Sequence, residues 1–94
     1  MLTYRASFVW TDDLVLAQVL DFPGTVAYGK TLDEARQKLA LALRDMAETN
    51  LLKGESLPIP APQATSPDSD LEEPIHIGIR AGHNLELLFG ASTS

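Results

Sequence analysis

The sequence contains no cysteine, which excludes a disulfide framework and a thiolate metal site and removes the usual support for a small secreted domain. Nor does it contain an apolar run near the roughly 18 residues of a membrane span. Its start, MLTYRASFVW, has neither the basic nor the apolar stretch of a secretory signal. These absences predict a cytoplasmic chain with no membrane association. Cations are scarce as well: Lys and Arg number 7 against 13 Asp and Glu, for a formal charge of -6. Affinity for a phosphate backbone comes from clustered Lys and Arg, so direct DNA binding is not expected. An acidic surface suits a basic protein partner instead. At 94 residues the chain has room for one domain with one core.

Catalytic constellations are also missing. A two-metal nuclease needs carboxylates converging on one cleft, yet the first predicted strand carries none. Asp12 and Asp13 fall in a turn, Asp33 and Glu34 at a helix start, and Asp68, Asp70, Glu72 and Glu73 in a polar connection. His76 and His83 have no nucleophile or orienting residue arranged around them. No serine sits in a G-x-S-x-G elbow, and Gly24 and Gly29 do not belong to a phosphate-cradling glycine pattern. The expectation is a protein without catalytic residues, metal ligands or a cofactor.

What the sequence does contain is a regular series of elements. Thr3 to Trp10 alternates, with Tyr4, Ala6, Phe8 and Trp10 on one side, which predicts a half-buried strand. After the turn formers Thr11, Asp12 and Asp13, the apolar run Leu14 to Leu20 predicts a hairpin partner. Asp21-Phe22-Pro23-Gly24 ends that run, and Thr25 to Tyr28 predicts a short third strand. Thr31 and Glu34 form a capping box for a helix whose stripe is Leu32, Ala35, Leu39, Leu43 and Met46. Lys53 and Gly54 mark its end, before Pro58, Pro60 and Pro62.

Residues 55–74 read as an extended Pro, Ser and acidic connection with a flexible composition. Ile75, Ile77 and Ile79 alternate with His76, Gly78 and Arg80, predicting a fourth strand; a right-handed crossover through the helix would place it parallel to the first. The predicted architecture is α+β, in the order β-β-β-α-β: three antiparallel strands, one packed helix and a parallel fourth strand. The domain would span residues 1–80, leaving 81–94 as a tail. Within that tail Leu85, Leu87, Leu88 and Phe89 fit a fifth strand, a helical turn or a docking segment.

The second strand is apolar on both sides. Val15, Ala17 and Val19 occupy one face, and Leu14, Leu16 and Leu20 the other. One helix covers one face, and contiguous exposed apolar surface usually marks an interface. Leu14, Leu16 and Leu20, with Leu87 and Phe89 of the tail, are therefore the candidate interface residues, facing another subunit, a partner or the tail itself.

The ordered blocks Phe22-Pro23-Gly24 and Tyr28-Gly29-Lys30-Thr31-Leu32-Asp33-Glu34-Ala35, followed by a helix and Gly54-Glu55-Ser56-Leu57-Pro58-Ile59-Pro60, resemble the HicB-like antitoxin family. The resemblance covers about residues 3–62, with Ile75 to Arg80 matching the family's last strand. It implies a degenerate ribonuclease H-like fold lacking the nuclease carboxylates, which self-associates into a homo-oligomer and occludes a small basic toxin ribonuclease. Relatives often carry a C-terminal DNA-binding module; the short stretch after Arg80 departs from that pattern. Two other functions compete: a solitary oligomeric adaptor or ligand-sensing module without a toxin, and a metal-dependent hydrolase built on Asp12 and Asp13.

Overall fold

Alternation in the first strand organises the core. The computed structural model describes residues 2–78 and the backbone of 79 and 85–89. Its elements are β1 (Leu2–Trp10), β2 (Val15–Val19), β3 (Val26–Gly29), α1 (Leu32–Leu52), β4 (Leu71–Ile79) and β5 (Leu85–Phe89). The strands make one sheet in the order β3-β2-β1-β4-β5, and every neighbouring pair is antiparallel. Tyr4, Ala6 and Phe8 of β1 are buried with Val15, Ala17 and Val19 of β2 and Ile75 and Ile77 of β4. Ala35, Leu39, Leu43 and Ala47 of α1 complete that core, with Leu32 and Met46 partly buried against it. Trp10 keeps the predicted side of the strand but is not buried there. It is 47% exposed because β1 runs on to the end of the sheet.

The helix begins where its capping box places it. Thr31 Oγ1 accepts the Glu34 N–H at 3.1 Å, while Glu34 Oε1 accepts the Lys30 N–H at 2.6 Å, so the reciprocal bond reaches one residue further upstream than usual. Thr31→Ala should therefore lower stability by about 1 kcal/mol in urea titration, without loss of fold. At the other end the Gly54 N–H bonds the Leu51 carbonyl and the Glu55 N–H bonds that of Asn50. These bonds satisfy carbonyls the helix leaves over.

Before β3, the chain turns at Phe22-Pro23-Gly24, where Gly24 adopts a φ of 89° that L residues rarely take. The next residue, Thr25, is buried, and its Oγ1 has no hydrogen-bond partner. An unpaired buried hydroxyl costs desolvation free energy that valine, of nearly the same shape, does not. Thr25→Val is expected to raise stability by about 1 kcal/mol, measured as a higher urea midpoint at an unchanged slope.

The fourth strand is antiparallel to the first, not parallel as expected, and begins four residues earlier, at Leu71. The connection is the reason. After α1 returns the chain to the start of β1, residues 55–70 cross the length of the sheet once more. Pro58 accepts from the Tyr4 hydroxyl at 2.7 Å, and the Asp70 N–H bonds the Phe8 carbonyl at 2.9 Å near the far end of β1. A simple crossover would have delivered the chain to the opposite end. Pro74 is accommodated because, among the described residues, β5 pairs with Ile75 to Ile79 of β4 and leaves Leu71 to Pro74 as an edge.

Of the three conformations open for the apolar cluster after residue 84, Leu85–Phe89 takes the strand. Residues 80–84 and 90–94, including Arg80 and His83, lie outside the described residues. A bidentate pair ties the helix to β4: Arg36 Nε and Nη2 donate to the Glu73 carboxylate at 2.8 and 2.9 Å. Those hydrogen bonds to Glu73 are the main reason the Arg36 guanidinium is held above its ordinary pKa. Among the described residues, no helix is long and apolar enough to cross a membrane.

Candidate interface on the sheet

Cross-strand register sets which side chains share the face away from α1. In β1 and β2, Val9 lies opposite Leu16, and Leu16 lies opposite Tyr28 of β3, making one row. The next row is Val26, Gln18, Ser7 and Glu72, and the one after it brings Arg5 opposite Pro74. The face predicted to be bare is therefore two regions. Around Ser7 and Arg5 it is polar; around Leu16 it is apolar.

The connection itself covers the polar region. Ala61 donates its N–H to Asp21 Oδ2 at 2.9 Å, and the other oxygen of Asp21 accepts the Arg5 N–H at 2.8 Å. Farther along, Glu72 Oε2 accepts from Thr65 Oγ1 at 2.9 Å and from the Ser66 N–H at 3.0 Å, and Ser69 hydrogen-bonds Ser7. Ser7 is buried in consequence. The Ser66 amide, the Thr65 and Ser69 hydroxyls and the nearby Arg5, in that order, stabilise the charged form of Glu72 and hold its carboxyl below the ordinary value. With its folded pKa depressed, Glu72 contributes stability that is present above the unfolded pKa and is lost as pH falls through the folded one.

Nothing among the described residues covers the apolar region. Tyr28 is 55% exposed, Val26 49% and Leu14 38%, while Val9 and Leu16 are half-buried. Beside them is the β1–β2 turn, with Asp12 and Asp13 exposed and Leu14 held by Thr11, whose N–H and hydroxyl both bond the Leu14 carbonyl at 2.8 Å. Trp10, exposed on the other face, lies at the same end of the sheet. Among the described aromatic residues, Tyr4, Phe8 and Phe22 are buried and Trp10 and Tyr28 are not. One end of the sheet thus presents two aromatic and several aliphatic side chains beside two carboxylates.

The sequence-derived interface residues do not form one patch. Leu14 and Leu16 belong to the exposed end. Leu20 is half-buried at the opposite end of β2, four residues or about 13 Å from Leu16, with the row of Gln18 between them. Leu87 and Phe89 stand in register with Ile77 and Ile75 on β5, separated from β2 by β1 and β4. The residues missed are Tyr28, Val26 and Trp10. Third-strand alternation was the available signal for the first two: Ala27 is half-buried, and its neighbours on the strand point away from the helix.

The remaining polar groups have local roles. His76 Nδ1 is 2.8 Å from Thr3 Oγ1, and burial, followed by the charge of Asp21, raises the pKa of Tyr4. A cavity of about 240 Å³ lies where the connection reaches the open face, lined by Thr3, Tyr4, Arg5, Asp21, Ala61, Pro62 and Pro74. Among the described residues, no group of three or more His, Cys, Asp or Glu side chains converges as a metal site would require. A scan against protein-family models, a search of the curated proteins and a search of the solved structures return no match.

Proposed function

We propose that the chain is a protein-binding domain of the HicB-like antitoxin kind, acting in the cytoplasm without catalytic residues or a cofactor, which docks a small basic toxin ribonuclease and occludes it. The observation that carries this reading is the uncovered apolar end of the sheet, with Leu14, Leu16, Val26 and Tyr28 beside Asp12 and Asp13. Burying one such side chain is worth roughly 1.5–3 kcal/mol, so a partner that covers several gains substantially. The formal charge of -6 favours a cationic partner over a nucleic acid. Kinship with a ribonuclease H-like fold is proposed for the stretch from β1 through α1, where the family-like blocks lie; the antiparallel β4 is a departure from it.

The β3 edge supports a second reading, an oligomeric adaptor. Val26 and Tyr28 sit on a strand with no neighbour on its outer side among the described residues, and such an edge can extend a sheet across two copies. Co-expression separates the two. The antitoxin reading expects the tagged chain to co-purify with a small basic protein encoded beside it and to relieve the growth arrest that protein causes. Persistent arrest with no co-purification defeats that reading for the pair. A stable homo-oligomer in light scattering, with no toxin neighbour, favours the adaptor.

A further inference from the structure

Residues 61–69 lie over the polar half of the open face, yet none of them is buried. Ala61, Pro62, Gln63, Thr65, Pro67 and Asp68 are exposed, and the stretch contributes no side chain to the hydrophobic core. Its attachment is polar: Ala61 to Asp21, Thr65 and Ser66 to Glu72, and Ser69 to Ser7. Beneath it, β1 and β4 pair directly from Leu2–Ile77 to Phe8–Leu71. The sheet therefore does not need the segment to stay closed. Elements with few buried apolar contacts and solvent-facing hydrogen bonds open at lower free energy than the core they lie on.

We propose that residues 61–69 form a strap that opens as a unit while the sheet and α1 stay folded, with Glu72 as its clasp. Glu72 accepts two bonds from the strap and stands opposite Ser7, a second anchor, with Asp21 holding Ala61 as the third. Opening uncovers Ser7, in the row adjoining Leu16 and Tyr28, and widens access to Arg5 in the row beyond. If the partner-binding reading above is right, the closed strap limits the docking surface to the apolar end and the open strap enlarges it.

Amide hydrogen exchange on the full chain tests the strap without any partner. The amides of Ala61, Ser66 and Ser69 are expected to exchange at least about tenfold faster than those of β1 and the middle of α1. Glu72→Ala should accelerate them further, with Glu72→Gln in between because its amide oxygen still accepts, while the core amides keep their rates. Exchange of the strap at the core's rate, or an equal acceleration of strap and core in Glu72→Ala, would overturn the proposal.

A crosslink supplies an independent check. The Ser7 and Ser69 hydroxyls are in hydrogen-bond contact and the chain has no cysteine of its own, so the pair Ser7→Cys and Ser69→Cys should oxidise to one disulfide. Oxidation is expected to slow the strap amides to the core's rate, and reduction to restore them. A pair that will not crosslink, or a crosslink that leaves strap exchange unchanged, counts against the strap. Neither readout depends on partner binding, so failure of the strap and failure of the docking surface are separable.

Discussion

Gly29→Ala is expected to destabilise the domain by about 3 kcal/mol or more, a loss that leaves a protein of ordinary stability largely unfolded at modest urea concentrations. The backbone of Gly29 is not in the left-handed region; close approach is what demands glycine. A Cβ placed there would overlap the Ala35 nitrogen and lie 2.8 Å from the Ala35 Cα and 2.9 Å from the Glu34 carbonyl carbon. These are backbone atoms in the first turn of α1, so no side-chain rotation relieves the overlap. Either β3 leaves β2, or the helix start shifts and disturbs Ala35 and the Thr31 cap. Both lose buried contacts and hydrogen bonds at once. Circular dichroism during urea titration measures the effect, and a Gly29→Ala protein within about 1 kcal/mol of the parent would show that β3 and α1 are not packed this closely.

The sequence betrays this contact only indirectly. Gly29 stands two residues before the Thr31 cap, so the helix start was legible, but glycine there reads equally well as a strand end. The capping box, the Leu39 and Leu43 stripe and the alternation of Tyr4, Ala6 and Phe8 were legible because each is a local pattern imposed by backbone geometry. The direction of β4 was not. It depends on how far a polar segment without periodicity travels, and that is fixed by scattered bonds such as Tyr4 to Pro58 and Asp70 to Phe8. The same segment answers the excess of apolar residues in β2. The composition of β2 predicts an uncovered second face; half of that face is polar and lies under residues 61–69, and the apolar remainder is displaced toward β3. Leu16 is legible as a candidate because strand two is unusually apolar. Tyr28 is harder to read, because the alternation of β3 spans four residues and stands out only once Ala27 is known to face the core.

If the apolar end of the sheet is the docking surface, Tyr28→Ser should weaken partner binding by about 100-fold while leaving the fold intact. Tyrosine is among the residues that most often dominate an interface, and the loss of one central aromatic side chain commonly costs a few kcal/mol. Serine removes the ring without altering charge, so the change reports burial and not electrostatics. Tyr28 is 55% exposed in the free chain, and its removal should shift stability by no more than about 0.5 kcal/mol. Leu52→Ser is the matched control: Leu52 is 89% exposed at the end of α1, and it should leave affinity unchanged. Asp12→Asn with Asp13→Asn separates the electrostatic contribution. With a basic partner, that pair should slow association and flatten its dependence on salt, and dissociation should change little, because exposed charges steer encounter more than they hold a formed complex. Equal losses in Tyr28→Ser and Leu52→Ser would move the interface away from the sheet, whereas loss in Tyr28→Ser together with a broken homo-oligomer would assign the β3 edge to a second copy of the chain.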